Sequence, residues 1–64
     1  MQLTEKEIKI LEYSAQGLSY KEMSEFLGLT PNYTKTRATR ICRKLGADNR
    51  TQAVAMAIRR GIIE

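Results

Sequence analysis

Apolar positions recur along the chain at spacings of three and four residues, the pattern of helices that bury one face. The clearest stripe consists of Thr34, Ala38, Ile41 and Leu45, with Cys42 on its flank. The other positions predicted to face inward are Ile8, Ile10, Leu11 and Ala15, then Met23 and Leu27, and finally Ala53, Val54 and Ala57. Since no stretch alternates apolar and polar residues as a strand would, the sequence predicts an all-α fold.

Start and stop signals divide the chain into four helical segments. Each segment follows a residue that favours the N-cap position, namely Thr4, Ser19, Thr30 and Asn49. Glu7 and Glu22 complete capping boxes in the first two, and a glycine follows every segment. We therefore predict helices near 5–16, 20–27, 31–45 and 50–60 in one compact domain over 1–64. The segment at about 20–45 is predicted to form a helix-turn-helix core.

Size and composition exclude several classes of protein. The chain has 64 residues, enough for one small core, and its 42% hydrophobic and 28% charged content is ordinary for a folded domain. It contains no apolar run of membrane-spanning length and no signal-peptide pattern. The single cysteine, Cys42, cannot form an internal disulfide, so a reducing cytoplasm is the expected location.

Catalysis is not expected. The sequence has no histidine, and its one cysteine falls among apolar neighbours. General-base, metal and thiol chemistry therefore lack candidate residues. We predict no enzymatic activity, no cofactor, no metal site, no small-molecule ligand site and no membrane association.

Charge is distributed unevenly along the chain. Residues 1–29 carry three basic and five acidic side chains, a net of −2, whereas residues 30–64 carry eight basic and two acidic ones, a net of +6. Such an imbalance in a small domain favours contact of the second half with a polyanion.

The third predicted helix carries a polar face opposite its apolar stripe. Its members are Asn32, Lys35, Thr36, Thr39, Arg40 and Arg43. Cations and hydrogen-bonding side chains without an acid suit the major groove of DNA, and Tyr33, Arg37 and Lys44 lie on one shoulder, suited to phosphates. A solvated basic face kept for solubility is the alternative.

The whole chain resembles the LuxR-type helix-turn-helix domain, also found in NarL-like response regulators and in the sporulation regulator GerE. The resemblance rests on Leu3-Thr4 with Glu7, on Gly17-Leu18-Ser19, on Lys21-Glu22-Met23 and on Leu27. The strongest match is the run from Lys44 to Val54, KLGADNRTQAV. The resemblance implies a bacterial transcription regulator that binds double-stranded DNA with its third helix in the major groove. Such a protein is expected to associate with the nucleoid when it is bound to DNA.

The resemblance and the helical projection together give the predicted contacts. The base-contacting candidates are Lys35, Thr36, Thr39, Arg40 and Arg43. The phosphate-contacting candidates are Tyr20, Lys21, Thr30, Asn32, Tyr33, Arg37 and Arg50. In many members of the family the fourth helix forms a homodimer, for which the candidates here are Thr51, Ala55, Ile58 and Ile62. We expect such a dimer to bind an inverted repeat; covering the edge of the core is the other interpretation of Ile58.

The chain departs from the family pattern at several positions. Thr34 replaces a buried valine, and its hydroxyl is expected to bond to the carbonyl one turn back. Arg37 and Arg40 stand where the family usually has histidine and asparagine. Phe26 occupies a polar position, where it either extends the core or forms a patch for another protein. These changes keep open an alternative function, a module that pairs with a full-length LuxR-type regulator and antagonises it.

Overall fold

The protein consists of four α-helices joined by short turns in a computed structural model that describes residues 3–64. The helices are α1 (Glu5–Ala15), α2 (Tyr20–Leu27), α3 (Pro31–Leu45) and α4 (Arg50–Arg59). Within residues 3–64 there is no strand, and the all-α prediction is confirmed. The first and fourth helices end one residue earlier than predicted, and residues 1 and 2 of the predicted domain lie outside the described residues.

Reciprocal hydrogen bonds begin the first two helices. The Thr4 hydroxyl accepts from the backbone N–H of Glu7 at 3.1 Å, and the Glu7 carboxylate accepts from the backbone N–H of Thr4 at 2.8 Å. Ser19 and Glu22 repeat this arrangement at 3.2 and 2.9 Å. Both predicted capping boxes are therefore present, and each satisfies two backbone donors that the first helical turn leaves unpaired.

The last two helices begin with simpler caps. The Thr30 hydroxyl accepts from the backbone N–H of Tyr33 at 3.1 Å, with Pro31 in the first helical position. Asn49 caps α4 through the backbone N–H of Gln52 at 2.8 Å. The Gln52 side chain bonds to the N–H of Asp48 rather than to that of Asn49. The predicted N-caps are thus confirmed at all four helices.

Left-handed glycines end α2 and α3. Gly28 has a φ of +69° and Gly46 a φ of +74°, a conformation that strains any residue with a Cβ. Gly28 donates its N–H to the Ser24 carbonyl, which closes α2 just before α3 begins. These two residues define the short turns on either side of α3.

The core lies where α1 meets the other three helices and α4 packs against α3. Its buried apolar members are Ile10, Leu11, Met23, Ala38, Ile41, Leu45, Ala53, Ala57 and Ile63. The predicted stripe of α3 is buried at every position, including Thr34. Ala53 and Ala57 place only a methyl group between α4 and the rest of the core, which allows the helices to approach closely.

One predicted inward position is wrong, and one alternative that the sequence left open is decided. Ala15 is exposed because it lies in the last turn of α1, where the chain leaves the helix. Phe26 does not extend the core: it is 71% exposed, and its ring lies 5.6 Å from that of Tyr13. Ile63, which lies beyond the last helix, is buried and was not predicted. None of the helices in residues 3–64 has the length and apolar character needed to cross a membrane.

Candidate nucleic-acid interface

The outer face of α3 is exposed along its whole length. All six predicted members, Asn32, Lys35, Thr36, Thr39, Arg40 and Arg43, are exposed. Lys35, Arg40 and Arg43 form no ion pair within residues 3–64, and α3 contains no acidic residue. The face therefore offers uncompensated cations to an anionic partner.

The two threonines on this face bond back to their own helix. The hydroxyl of Thr36 donates to the carbonyl of Asn32, and that of Thr39 to the carbonyl of Lys35, both at 3.1 Å. Residues three apart on a helix are neighbours, so the two threonines form one small patch. Their hydroxyl groups are already engaged in the free domain.

One shoulder of α3 is anchored to α1 through a buried carboxylate. Glu7 is fully buried, and both of its oxygens accept from the Nζ of Lys44, at 2.8 and 3.0 Å. Arg37 approaches the same carboxylate at 4.0 Å, and its guanidinium lies 5.4 Å from the centre of the Tyr33 ring. The shoulder predicted from sequence is thus ordered by a residue of α1, and the charge of Lys44 is engaged inside the domain.

The surroundings of Glu7 favour its charged form. Burial by itself raises the pKa of this carboxyl group, but the hydrogen bonds and charge of Lys44 and the N–H and hydroxyl of Thr4 outweigh burial. The net effect lowers the pKa of Glu7. Glu7 is therefore an anion that holds Lys44 in place while it caps α1.

A second anchored pair lies where α2 and α4 begin. The guanidinium of Arg50 lies 4.5 Å from the centre of the Tyr20 ring, a cation–π contact. Its Nη1 donates to the carbonyl of Leu18 at 3.4 Å. Two residues predicted to contact phosphate, which are 30 positions apart in the sequence, are thus brought together.

The remaining predicted phosphate contacts lie at helix starts. Lys21 is exposed in the first turn of α2, and Thr30 and Asn32 are exposed at the start of α3. Because the Thr30 hydroxyl accepts its capping bond, its own proton is available to an acceptor such as a phosphate oxygen.

A strip of α4 faces away from the core. Thr51, Ala55 and Ile58 recur at helical spacing and are exposed, Ile58 at 47%. Ile62 differs from them because it is half-buried and packs against the core. The strip is small and apolar, which suits contact with a second small surface.

The sequence did not predict the roles that two residues have in this region. The capping pattern identified Glu7 as the N3 residue of a helix, but its partner Lys44 is 37 positions away. Ser24 is buried and bonds to Thr34 across the helix-turn-helix at 2.6 Å. The expected bond from Thr34 to the Thr30 carbonyl is present at 3.0 Å.

Residues 3–64 contain no group of three or more histidine, cysteine, aspartate or glutamate side chains placed to hold a metal ion. Cys42 is half-buried, and burial raises the pKa of its thiol. The thiol is accordingly a weak nucleophile near neutral pH.

Comparison with known proteins gives a single family. The sequence profile described as "Bacterial regulatory proteins, luxR family" matches residues 1–57. "Transcriptional regulatory protein YdfI" of Bacillus subtilis is 45% identical over 62 residues, 97% of this chain and 29% of YdfI. "Transcriptional activator protein BjaR1" of Bradyrhizobium diazoefficiens is 43% identical over 61 residues, 95% of this chain and 25% of BjaR1.

A solved structure matches the fold closely. The response regulator ChrA of a heme-sensing two-component system superimposes with a TM-score of 0.93 at 36% identity, over 98% of this chain and 31% of ChrA. The chain therefore spans between a quarter and a third of the length of these relatives.

Proposed function

The chain belongs to the luxR family of bacterial regulatory proteins, and from this premise we propose that it binds double-stranded DNA in a sequence-specific way, with α3 in the major groove. The observation that carries the proposal is the outer face of α3, on which cations and hydrogen-bonding side chains are exposed without an acid. An α-helix fits the width of the major groove, so these side chains reach base edges together. Such a domain works on the chromosome in the cytoplasm and controls transcription.

The proposed contacts divide by chemistry. Lys35, Arg40 and Arg43 are donors suited to guanine acceptors, and Thr36 and Thr39 lie between them. The phosphate contacts are assigned to the helix starts and to the ordered shoulder, that is, to Tyr20, Lys21, Thr30, Asn32, Tyr33, Arg37 and Arg50. The Tyr33–Arg37 and Tyr20–Arg50 stacks support this assignment, because each holds a guanidinium in place before DNA arrives.

We further propose that the domain binds as a homodimer through the exposed strip of α4. Burial of apolar groups stabilises a dimer more than contact between charged surfaces does. On this strip, Thr51, Ala55 and Ile58 present small apolar groups beside the half-buried Ile62. Two helix-turn-helix units related by a two-fold axis meet DNA about 34 Å apart, one turn of the duplex. The favoured site is therefore an inverted repeat.

Selection from a random pool of duplexes tests the proposal. The domain is expected to enrich a defined sequence, present as two inverted half-sites with centres about one helical turn apart. Enrichment of a direct repeat or of a single half-site would contradict the α4 dimer. A pool that stays random, with binding equal on all sequences, would contradict sequence-specific recognition.

A second candidate function is supported by Phe26, which is 71% exposed and whose ring contacts that of Tyr13. A large exposed apolar side chain suits a protein partner, such as another LuxR-type regulator that the domain would pair with and block. Under this alternative, the purified domain would lower the DNA affinity of such a regulator while binding DNA weakly itself. Tight specific binding by the domain alone would contradict it.

A further inference from the structure

Thr36 and Thr39 are neighbours on the exposed face of α3, and both hydroxyl protons are used within the helix. Thr36 Oγ1 donates to the Asn32 carbonyl and Thr39 Oγ1 to the Lys35 carbonyl, each at 3.1 Å. A hydroxyl group has one proton to donate and two lone pairs that accept. In the free domain these side chains therefore offer a ligand two things: the γ-methyl group and the oxygen lone pairs.

The methyl group and the lone pairs together distinguish the base pairs by the groups that each shows in the major groove. A G·C pair shows the N7 and O6 acceptors of guanine, which require a donor that neither threonine has to spare. Its one donor, the N4 amino group of cytosine, can satisfy a lone pair, but the pair has no methyl group. An A·T pair shows the 5-methyl group of thymine and the N6 amino group of adenine, a donor. A methyl group packs on the first, and a lone pair accepts from the second. Both groups that the threonines offer thus find a partner on the same base pair.

We propose that Thr36 and Thr39 determine specificity by recognising A·T pairs, with their γ-methyl groups packed against the 5-methyl of thymine. This inference rests on the proposed binding of DNA by α3 and adds to it the class of base pair that these two residues recognise. Lys35, Arg40 and Arg43, which can only donate, are left to recognise guanine on either side.

The alternative is that the threonine hydroxyls turn toward the DNA and donate to guanine or to phosphate. That contact would require breaking a hydrogen bond that exists in the free domain. Packing of methyl on methyl breaks no such bond, because the hydroxyl groups keep their helix carbonyls as partners. Preorganisation therefore favours the apolar contact.

The test uses the half-site enriched by selection from random duplexes. Each thymine is replaced in turn by deoxyuridine, which removes only the 5-methyl group, and the ratio of the two affinities is measured by fluorescence anisotropy. For the wild-type domain, the duplex with thymine is expected to bind about fourfold more tightly than the duplex with deoxyuridine wherever a threonine buries the 5-methyl group. Thymines outside the half-site serve as controls and should give a ratio of one.

Two substitutions at each threonine then separate methyl from hydroxyl. Thr39→Val keeps a methyl and removes the hydroxyl, so it should retain the preference for thymine over deoxyuridine at one position. Thr39→Ser keeps the hydroxyl and removes the methyl, so it should abolish that preference. The pair Thr36→Val and Thr36→Ser should act in the same way at a neighbouring position. Circular dichroism confirms that each variant is helical.

The outcomes distinguish this inference from the function on which it rests. Failure to enrich any sequence would overturn the proposed function and this inference with it. Enrichment of a defined half-site with thymine-to-deoxyuridine ratios of one throughout would overturn this inference alone. A preference that survives Thr→Ser and is lost in Thr→Val would assign the recognition to the hydroxyls and would likewise overturn it.

Discussion

The hydroxyl groups of Ser24 and Thr34 lie 2.6 Å apart, joining α2 to α3 inside the helix-turn-helix. Both side chains are buried, and each also lies within bonding distance of a carbonyl of its own helix, that of Tyr20 at 2.6 Å and that of Thr30 at 3.0 Å. Two protons must serve three contacts, so one hydroxyl donates to the other while the second donates to a carbonyl. This bond links α3, the helix proposed to enter the groove, to α2, which packs against it.

Removing one hydroxyl group of this pair should lower the free energy of unfolding only slightly. Removing both should lower it by less than the sum of the two single effects. We expect Ser24→Ala or Thr34→Val to lower the free energy of unfolding by about 0.5–1.5 kcal/mol, the net value of a hydrogen bond. The double variant should fall short of additivity by about 0.5 kcal/mol or more, since the second change no longer breaks the bond. Urea unfolding of the four proteins measures this coupling, and strict additivity would mean that the pair contributes no stability of its own.

The buried carboxylate of Glu7 should make stability depend on acid pH. The pKa of Glu7 is lower in the folded state than in the unfolded state, where it is near the ordinary glutamate value. The contribution of Glu7 to the free energy of unfolding is therefore fully present above the unfolded pKa. It is lost as pH falls through the lower folded pKa. Glu7→Gln should therefore lower the free energy of unfolding by about 1–3 kcal/mol at neutral pH, because it leaves Lys44 without its carboxylate. The difference between wild type and variant should shrink in acid.

Glu22→Gln is the matched control for this experiment. Glu22 occupies the same capping-box position in α2, and hydrogen bonds from Ser19 lower its pKa. Its side chain is exposed, however, and forms no ion pair within residues 3–64. Its substitution should have a smaller effect at neutral pH. If Glu7→Gln and Glu22→Gln lost equal stability, the bond between Glu7 and Lys44 would not be a stabilising contact.

The strip of α4 should control cooperative binding to paired half-sites. Ile58 is 47% exposed in the single domain, so Ile58→Asp leaves the new charge in water until a dimer buries it unpaired. We expect the variant to bind one half-site as the wild type does and to lose cooperative occupation of two. Titration of one-site and two-site duplexes measures this effect, with circular dichroism as the folding control. A folded variant that still binds the double site cooperatively would show that α4 is not the interface.

Local sequence signals predicted the helices because each cap and each buried stripe depends on residues within about one helical turn. Thr4, Ser19, Thr30 and Asn49 all cap as expected, and the buried stripe of α3 is confirmed. Phe26 was not decided by the sequence, because its exposure depends on which helix covers α2. Glu7 was recognised only as a cap, since its burial beside Lys44 requires α1 and α3 to pack together.

The candidate site, likewise, was predicted from the sequence only in part. Helical projection identified the exposed face of α3, and the structure confirms its exposure. It could not identify the bonds that take up the hydroxyl protons of Thr36 and Thr39, because an exposed threonine on a helix adopts more than one side-chain conformation. Nor did it show that Arg50 stacks on Tyr20, a contact between residues 30 positions apart in sequence.

The central claim is that the basic face of α3 binds DNA, and the salt dependence of binding tests it most directly. Affinity for one duplex is measured from 50 to 200 mM salt for the wild type, for Arg43→Ala, and for Lys9→Ala. Lys9 is the control cation: it lies on α1, is 59% exposed, and is within 3.9 Å of Glu12.

If a dimer neutralises roughly 6–10 phosphates, wild-type affinity should fall about 10³- to 10⁵-fold over this range. Arg43→Ala should weaken binding to this duplex, with the slope reduced by about one per site if Arg43 contacts phosphate and unchanged if it contacts a base. Lys9→Ala should change neither. Wild-type affinity that is independent of salt, or equal effects of Arg43→Ala and Lys9→Ala, would contradict the assignment of α3 as the DNA-binding helix.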